Sequence, residues 1–210
     1  MRPGEGERRA IGGYYPQYRI AASLILRHLQ NDSLQWIRLA DPEAGRVDDF
    51  QIGSQARVDA FQVKWHMYGD NFTFNDLKAP SGGDPSLISQ LADGWQRLRA
   101  KYPGQRVVVH LVTNATPSTA DARGIPIGAV PPIPQHFAAF IEQAWKPARN
   151  TPPDSAFSIP GEWQDAWEVI KSASGLSTSD FETFIHDCVR WPTLSRFCWR
   201  IRRTCGKLMA

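Results

Sequence analysis

Asp48, Asp49, Gln62 and Lys64 are the residues of this chain whose types and order point to chemistry. A carboxylate and a side-chain carbonyl are oxygen ligands for a hard divalent cation, which polarises a phosphoryl oxygen and acidifies a bound water. A nearby lysine supplies fixed positive charge to the attacking water or the developing phosphorane, and while protonated it does not compete for the metal. Such a set suits hydrolysis of a phosphodiester. In Phe61-Gln62-Val63-Lys64-Trp65, the period of a strand puts Gln62 and Lys64 on one face and Phe61, Val63 and Trp65 on the other. A short turn would lay this strand beside Val47-Asp48-Asp49-Phe50. Neighbouring strand residues face opposite ways, so Asp48 and Asp49 are rivals for the ligand position until the register is known. Gln-x-Lys is ordinary on an exposed strand and Asp-Asp is ordinary before one. Their order across a hairpin, after a helix and ahead of a buried strand, selects the catalytic reading.

The elements that must position these groups follow from periodicity. Apolar residues Ile20, Ala21, Leu24, Ile25 and Leu29 predict a first helix over 17–30, with Pro16 in its first turn and Asn31-Asp32-Ser33 after it. Three short β-type runs follow, Leu34 to Ala40, Arg46 to Ile52 and Arg57 to His66, separated by turn-forming residues. Asp84-Pro85 opens a second helix whose Leu87, Ile88, Leu91, Trp95 and Leu98 share a face, and which ends near Tyr102-Pro103-Gly104. Val107 to Val112 is nearly all apolar, as in a central strand covered on both faces. Residues 114–135 read as loop, and helical patterns recur at 134–147, 160–173, 178–190 and 193–208. The expected fold class is α/β: a mixed sheet flanked by helices, with a mostly helical C-terminal addition. The expected organisation is a mobile arm over 1–13, a core over 14–150 and a helical addition over 151–210, the last linking to a further domain.

Composition excludes several classes. A hydrophobic content of 42% over 210 residues is enough for one good core. A net charge of +3 is too small to establish a nucleic-acid partner, although Lys and Arg concentrate in the arm Arg2 to Arg9 and after Arg196. Cys188, Cys198 and Cys205, with no CxxC pair, fit neither a disulfide framework nor a zinc site. No apolar run is long enough for a signal peptide or a membrane span, so a cytoplasmic protein is expected. Walker, HExxH and dinucleotide-binding motifs are absent, so any NTPase or sensor domain would be elsewhere.

The residues also carry a resemblance. Gly12-Gly13-Tyr14-Tyr15-Pro16-Gln17, Val47-Asp48-Asp49-Phe50, Phe61-Gln62-Val63-Lys64-Trp65 and the strand Val108 to Asn114 together resemble the PD-(D/E)XK restriction-endonuclease superfamily, in the branch that reads D…QxK. The likeness covers roughly residues 11–116 and is nearest to the endonuclease domain of CD-NTase-associated effectors in CBASS antiviral systems, also found at the N-terminus of antiviral STAND NTPases. The resemblance implies double-stranded DNA as substrate and Mg²⁺, or Mn²⁺, as cofactor. It implies Asp49 and Gln62 as metal ligands, with Asp48 the rival, and Lys64 as the catalytic cation. Gln17 resembles the polar residue that the first helix turns toward the site, where many members carry Glu. With no acid in residues 16–30, low metal affinity is expected. The resemblance further implies a defence effector working with a sensor or NTPase domain on the same or another chain, or as a homo-oligomer. The competing expectation is an inactive DNA-binding or protein-interaction module of the same fold.

Weaker signals read as structural. Asp59 lies on the strand face opposite Gln62 and is expected at a hairpin end or in solvent. His66 shares the Lys64 face and could touch phosphate, while His110 is expected as a hydrogen-bonded core residue. Trp163 and Trp167, with Phe181, Phe184 and Ile185, have the spacing of packed helices. The basic tail after Arg196 is expected to pack on, or continue into, another domain.

Overall fold

Four strands form a mixed sheet in the order β1-β2-β3-β5: β1 Trp36–Leu39, β2 Phe50–Gly53, β3 Arg57–Lys64 and β5 Arg106–Thr113. Neighbours pair antiparallel from β1 to β3, and β3 pairs parallel with β5. This is a computed structural model, and it describes residues 4–65, 71–119, 136–151 and 157–187, with the backbone alone over 5–13. A two-stranded parallel pair, β4 Asn71–Phe72 and β6 Thr116–Pro117, lies outside the main sheet. His66, the three cysteines and the expected helix at 193–208 lie outside the described residues.

One face of the sheet is covered by α1 Glu5–Gln30, which begins well before Gln17. The segment expected as an arm thus carries helix from Glu5. Glu5, Glu7, Arg8, Arg9 and Ala10 are good helix formers, and their propensity offsets part of the roughly 2 kcal/mol cost of the Gly12-Gly13 pair. Pro16 lies inside the helix rather than in its first turn. Ile20 and Ala21 bury against Phe50, Ile52, Phe61 and Val112, with Leu24, Ile25 and Leu34 packed beside them. Each large side chain so buried contributes about 1.5–3 kcal/mol, which holds the helix on the sheet.

The opposite face packs on α3 Leu87–Lys101, with the short α2 Phe74–Lys78 against it. Ser86 caps α3 by accepting a hydrogen bond from the Ser89 N–H at 3.3 Å, and the predicted stripe Ile88, Leu91, Trp95 and Leu98 is buried. In β5, Val107, Val109 and Leu111 point to the α3 side and Val112 to the α1 side, so the strand is covered on both faces as its apolar run predicts. The second predicted strand is shorter than expected, because Pro42–Ala44 form a 3₁₀ turn and Val47 is buried in the α3-side core, leaving Phe50 as the first β2 residue.

Beyond the loop region, α4 Phe137–Phe140, a π-helical turn Ile141–Trp145 and α5 Lys146–Asn150 run consecutively, followed by α6 Gln164–Ser174 and α7 Thr178–Asp187. Their Phe140, Trp145, Trp163, Phe181 and Phe184 join the same buried cluster as Trp95 and Leu111. The Trp95 and Phe184 rings meet edge-on at 5.5 Å. Among the described residues, this cluster draws side chains from both sides of residue 150. The core reading of Trp163 agrees with its complete burial. Among the described residues, no helix is long and apolar enough to cross a membrane.

Candidate active site

Phe50 pairs with Phe61 at the end of the β2–β3 ladder, so the next residue outward on each side is Asp49 and Gln62. The Gln62 amide donates to Asp49 Oδ2 at 3.0 Å, and the Val63 N–H donates to the same oxygen. From α1, the Gln17 amide donates to the backbone carbonyl of Asp49 at 3.1 Å. Three of the residues selected from sequence therefore converge, with Asp49 at the centre. Lys64 follows two residues after Gln62 on β3, is exposed, and acts electrostatically on Asp49. Asp48 is half-buried beside it and also acts on Asp49 through charge. Of the two acids, it is Asp49 whose carboxylate meets Gln62.

Asp49 sits in an unfavourable place for a lone anion. Burial raises its carboxyl from the ordinary value; the Val63 N–H pulls it down, Asp48 pushes it up and Lys64 pulls it down, with burial prevailing. A divalent cation would relieve that penalty. Asp49 Oδ1 takes no hydrogen bond among the described residues, and with its amide nitrogen turned to Asp49 the Gln62 side chain has its oxygen left for a ligand role. Asp49 and Gln62 thus offer oxygen donors of the kind a magnesium-type ion takes. Among the described residues, no group of three or more His, Cys, Asp and Glu is placed to hold a metal ion.

The segment carrying Asp48 and Asp49 is held by backbone. The Ala40 N–H donates to the Asp49 carbonyl at 3.3 Å and the Asp41 N–H to the Asp48 carbonyl at 3.2 Å, which extends the β1 edge past its strand. On the other side, Val47 presses on Gly94 of α3 so closely that a Cβ at Gly94 would lie 2.5 Å from Val47 Cγ2 and 2.9 Å from the Ala44 carbonyl. The sequence reading missed the anchor of this segment, Asp41, which is 5% exposed. It accepts from Arg38 at 3.1 Å, Gln51 at 3.0 Å, Lys101 at 2.9 Å and the Glu43 N–H at 3.2 Å. Burial alone would raise its pKa, but the hydrogen bonds from Lys101, Arg38 and Gln51 prevail and bring it down to about 2. An Asp-Pro-Glu run signals the capped turn; the reach of Lys101 from a distant helix has no local signature.

Asp59 faces away from Gln62 as expected but is buried rather than in solvent, held by His110 and Arg57. Burial works to raise its carboxyl, and the His110 and Arg57 contacts outweigh it and lower the value. His110 is the hydrogen-bonded core residue expected, stacked on Phe61 at 4.5 Å. Neither joins the Asp49 cluster. Among the aromatic side chains, Tyr14, Tyr15, Tyr18 and Trp65 are 55%, 57%, 56% and 37% exposed. No family model, curated protein or solved structure matches the chain.

Proposed function

We propose that this chain is a metal-dependent endonuclease of restriction-endonuclease-like fold, hydrolysing phosphodiester bonds of double-stranded DNA as a cytoplasmic antiviral defence effector. The reading rests chiefly on the contact between Asp49 and Gln62 at the open end of the β2–β3 ladder, with Lys64 two residues further along. Asp49 and Gln62 would hold Mg²⁺ or Mn²⁺, which when bound supplies Lewis-acid polarisation of the phosphate and a more acidic water. Lys64 places its ammonium beside the scissile phosphate, where charge grows in the transition state. Gln17 positions Asp49 by holding its carbonyl, so α1 and the hairpin keep one geometry.

Lys64→Ala is expected to lower plasmid cleavage by roughly 100-fold or more while leaving the far-UV spectrum and melting temperature unchanged, since the side chain is exposed. Undiminished cleavage by that variant in Mg²⁺ would sink the assignment. A second reading, a DNA-binding or protein-interaction module without catalysis, is favoured by the small number of carboxylates and by the amide at position 17. Plasmid binding without cleavage in both Mg²⁺ and Mn²⁺ would select it.

A further inference from the structure

α1 carries two apolar faces, and the sheet covers one of them. At about 100° per residue, Ile20, Ala21 and Leu24 turn together, and they pack among Phe50, Ile52, Phe61 and Val112. A second arc, about 120° wide and centred about 130° from the first, holds Tyr14, Tyr15, Tyr18, Ala22, Ile25, Leu26 and Leu29 and no polar residue of 14–30 beyond the tyrosine hydroxyls. Arg19, Ser23, Arg27 and Gln30 are confined to a strip between the two. A helix with a single buried face is polar over the rest of its surface, so the second arc lacks a partner within the described fold. Tyr14, Tyr15, Tyr18, Leu26 and Leu29 are between 55% and 59% exposed, and they are five of the eight large apolar side chains exposed among the described residues. Together they leave roughly 500 Å² of bare apolar surface on one helix, within the range of the largest, often functional patch on a soluble monomer.

We infer that this stripe docks on the same stripe of a second copy of the chain, the two α1 helices running antiparallel about a two-fold axis beside Ala22. The order of residues along the stripe is self-complementary. Tyr18 and Leu26 lie four residues either side of Ala22, and Tyr15 and Leu29 lie seven either side. A two-fold at Ala22 therefore brings each of these tyrosines to a leucine of the other copy, the reciprocal matching that an isologous interface demands. Ala22 is the smallest side chain of the stripe and stands at the crossing, where helix axes about 8–10 Å apart leave room for little more than a methyl group. Tyr15, Tyr18, Ala22, Ile25 and Leu29 follow at alternating steps of three and four, the spacing of a helix that packs along another helix. No charge lies inside the stripe; Arg19 borders it, with its guanidinium 5.5 Å from the centre of the Tyr15 ring. Two such faces supply about 1,000 Å², the area at which a specific interface begins. The interface stands whether or not the chain is a nuclease.

Sedimentation of the whole chain is expected to show a monomer–dimer equilibrium. Tyr18→Glu and Leu26→Glu should each weaken the dimer roughly 100-fold and leave the far-UV spectrum unchanged, since both side chains are exposed. The double variant Tyr18→Lys/Leu26→Glu should recover much of that loss, because its opposite charges face each other across the two-fold while lying about 12 Å apart within one chain. On mild oxidation, Ala22→Cys should give a covalent dimer above the background of the native thiols. Gln30→Cys, exposed and eight residues from the axis, should not. A parent that stays monomeric up to its solubility limit overturns the inference, and so does a dimer that both glutamate variants leave intact. Cross-linking through Gln30→Cys as readily as through Ala22→Cys rejects the antiparallel two-fold. A monomeric parent in which Tyr18→Glu opens residues 188–210 to protease would give the stripe to the chain's own C-terminal segment and overturn the inference as well.

Discussion

Asp49 takes hydrogen bonds from Gln62 and from the Val63 N–H, yet burial keeps its carboxyl raised. A group whose pKa is raised by folding supports stability fully below its unfolded value, and that support is lost as pH rises through the raised value. At neutral pH, then, the metal-free protein carries a strained anion. Two outcomes are expected. Asp49→Asn should raise the melting temperature of metal-free protein at pH 7, and Mg²⁺ should stabilise the parent, by about 1.4 kcal/mol at ten times its Kd, but not the variant. As pH falls toward the raised value, protons displace the metal and the Mg²⁺ effect should fade. Thermal scans with and without Mg²⁺ decide this, and an equal Mg²⁺ shift in parent and Asp49→Asn would place the ion elsewhere.

The elements around the site are set by close approach. Gly94 lies inside α3, where alanine would gain about 1 kcal/mol of helix propensity. Its missing Cβ, however, is the space into which Val47 and the Ala44 carbonyl fit. Gly94→Ala is expected to destabilise the fold by about 1–3 kcal/mol despite the better propensity, because overpacking displaces backbone. It should also weaken cleavage, since the displaced segment leads directly into Asp48 and Asp49. Denaturant melts measure the first effect and plasmid cleavage the second; a stabilised variant would show that the segment yields easily. The β1 end depends on a similar fit, with the Trp36 indole lying where a Cβ on Gly53 would be.

On the scale of the molecule, the helices after residue 157 share one buried cluster with α3 and the sheet. Trp95 of α3 is fully buried partly because Phe184 of α7 lies on it, and Arg106 at the start of β5 bonds Asp187 at 2.8 Å. Phe184→Ala should cost about 3–5 kcal/mol, and the loss should appear in one cooperative transition that includes tryptophan fluorescence and the β-sheet signal alike. Two separated transitions would mean that α6 and α7 fold as an independent unit.

Within single elements, the amino-acid order was sufficient. The 3.6-residue stripe of α3, the apolar run of β5 and the alternation of Gln62 and Lys64 are local periodicities, and each appears in the structure where the side chains predict it. Gln17 was singled out on type and position, and it does reach the Asp49 segment. Tertiary structure alone decided the rest. Asp49 rather than Asp48 meets Gln62 because β2 begins only at Phe50, and Val47, pulled under α3, sets where the strand can start. Lys101 meets Asp41 across 60 residues, and the helices after residue 157 seal the core over Trp95. Periodicity acts between neighbours along the chain, whereas burial and ion pairing act between surfaces brought together only when the chain has packed.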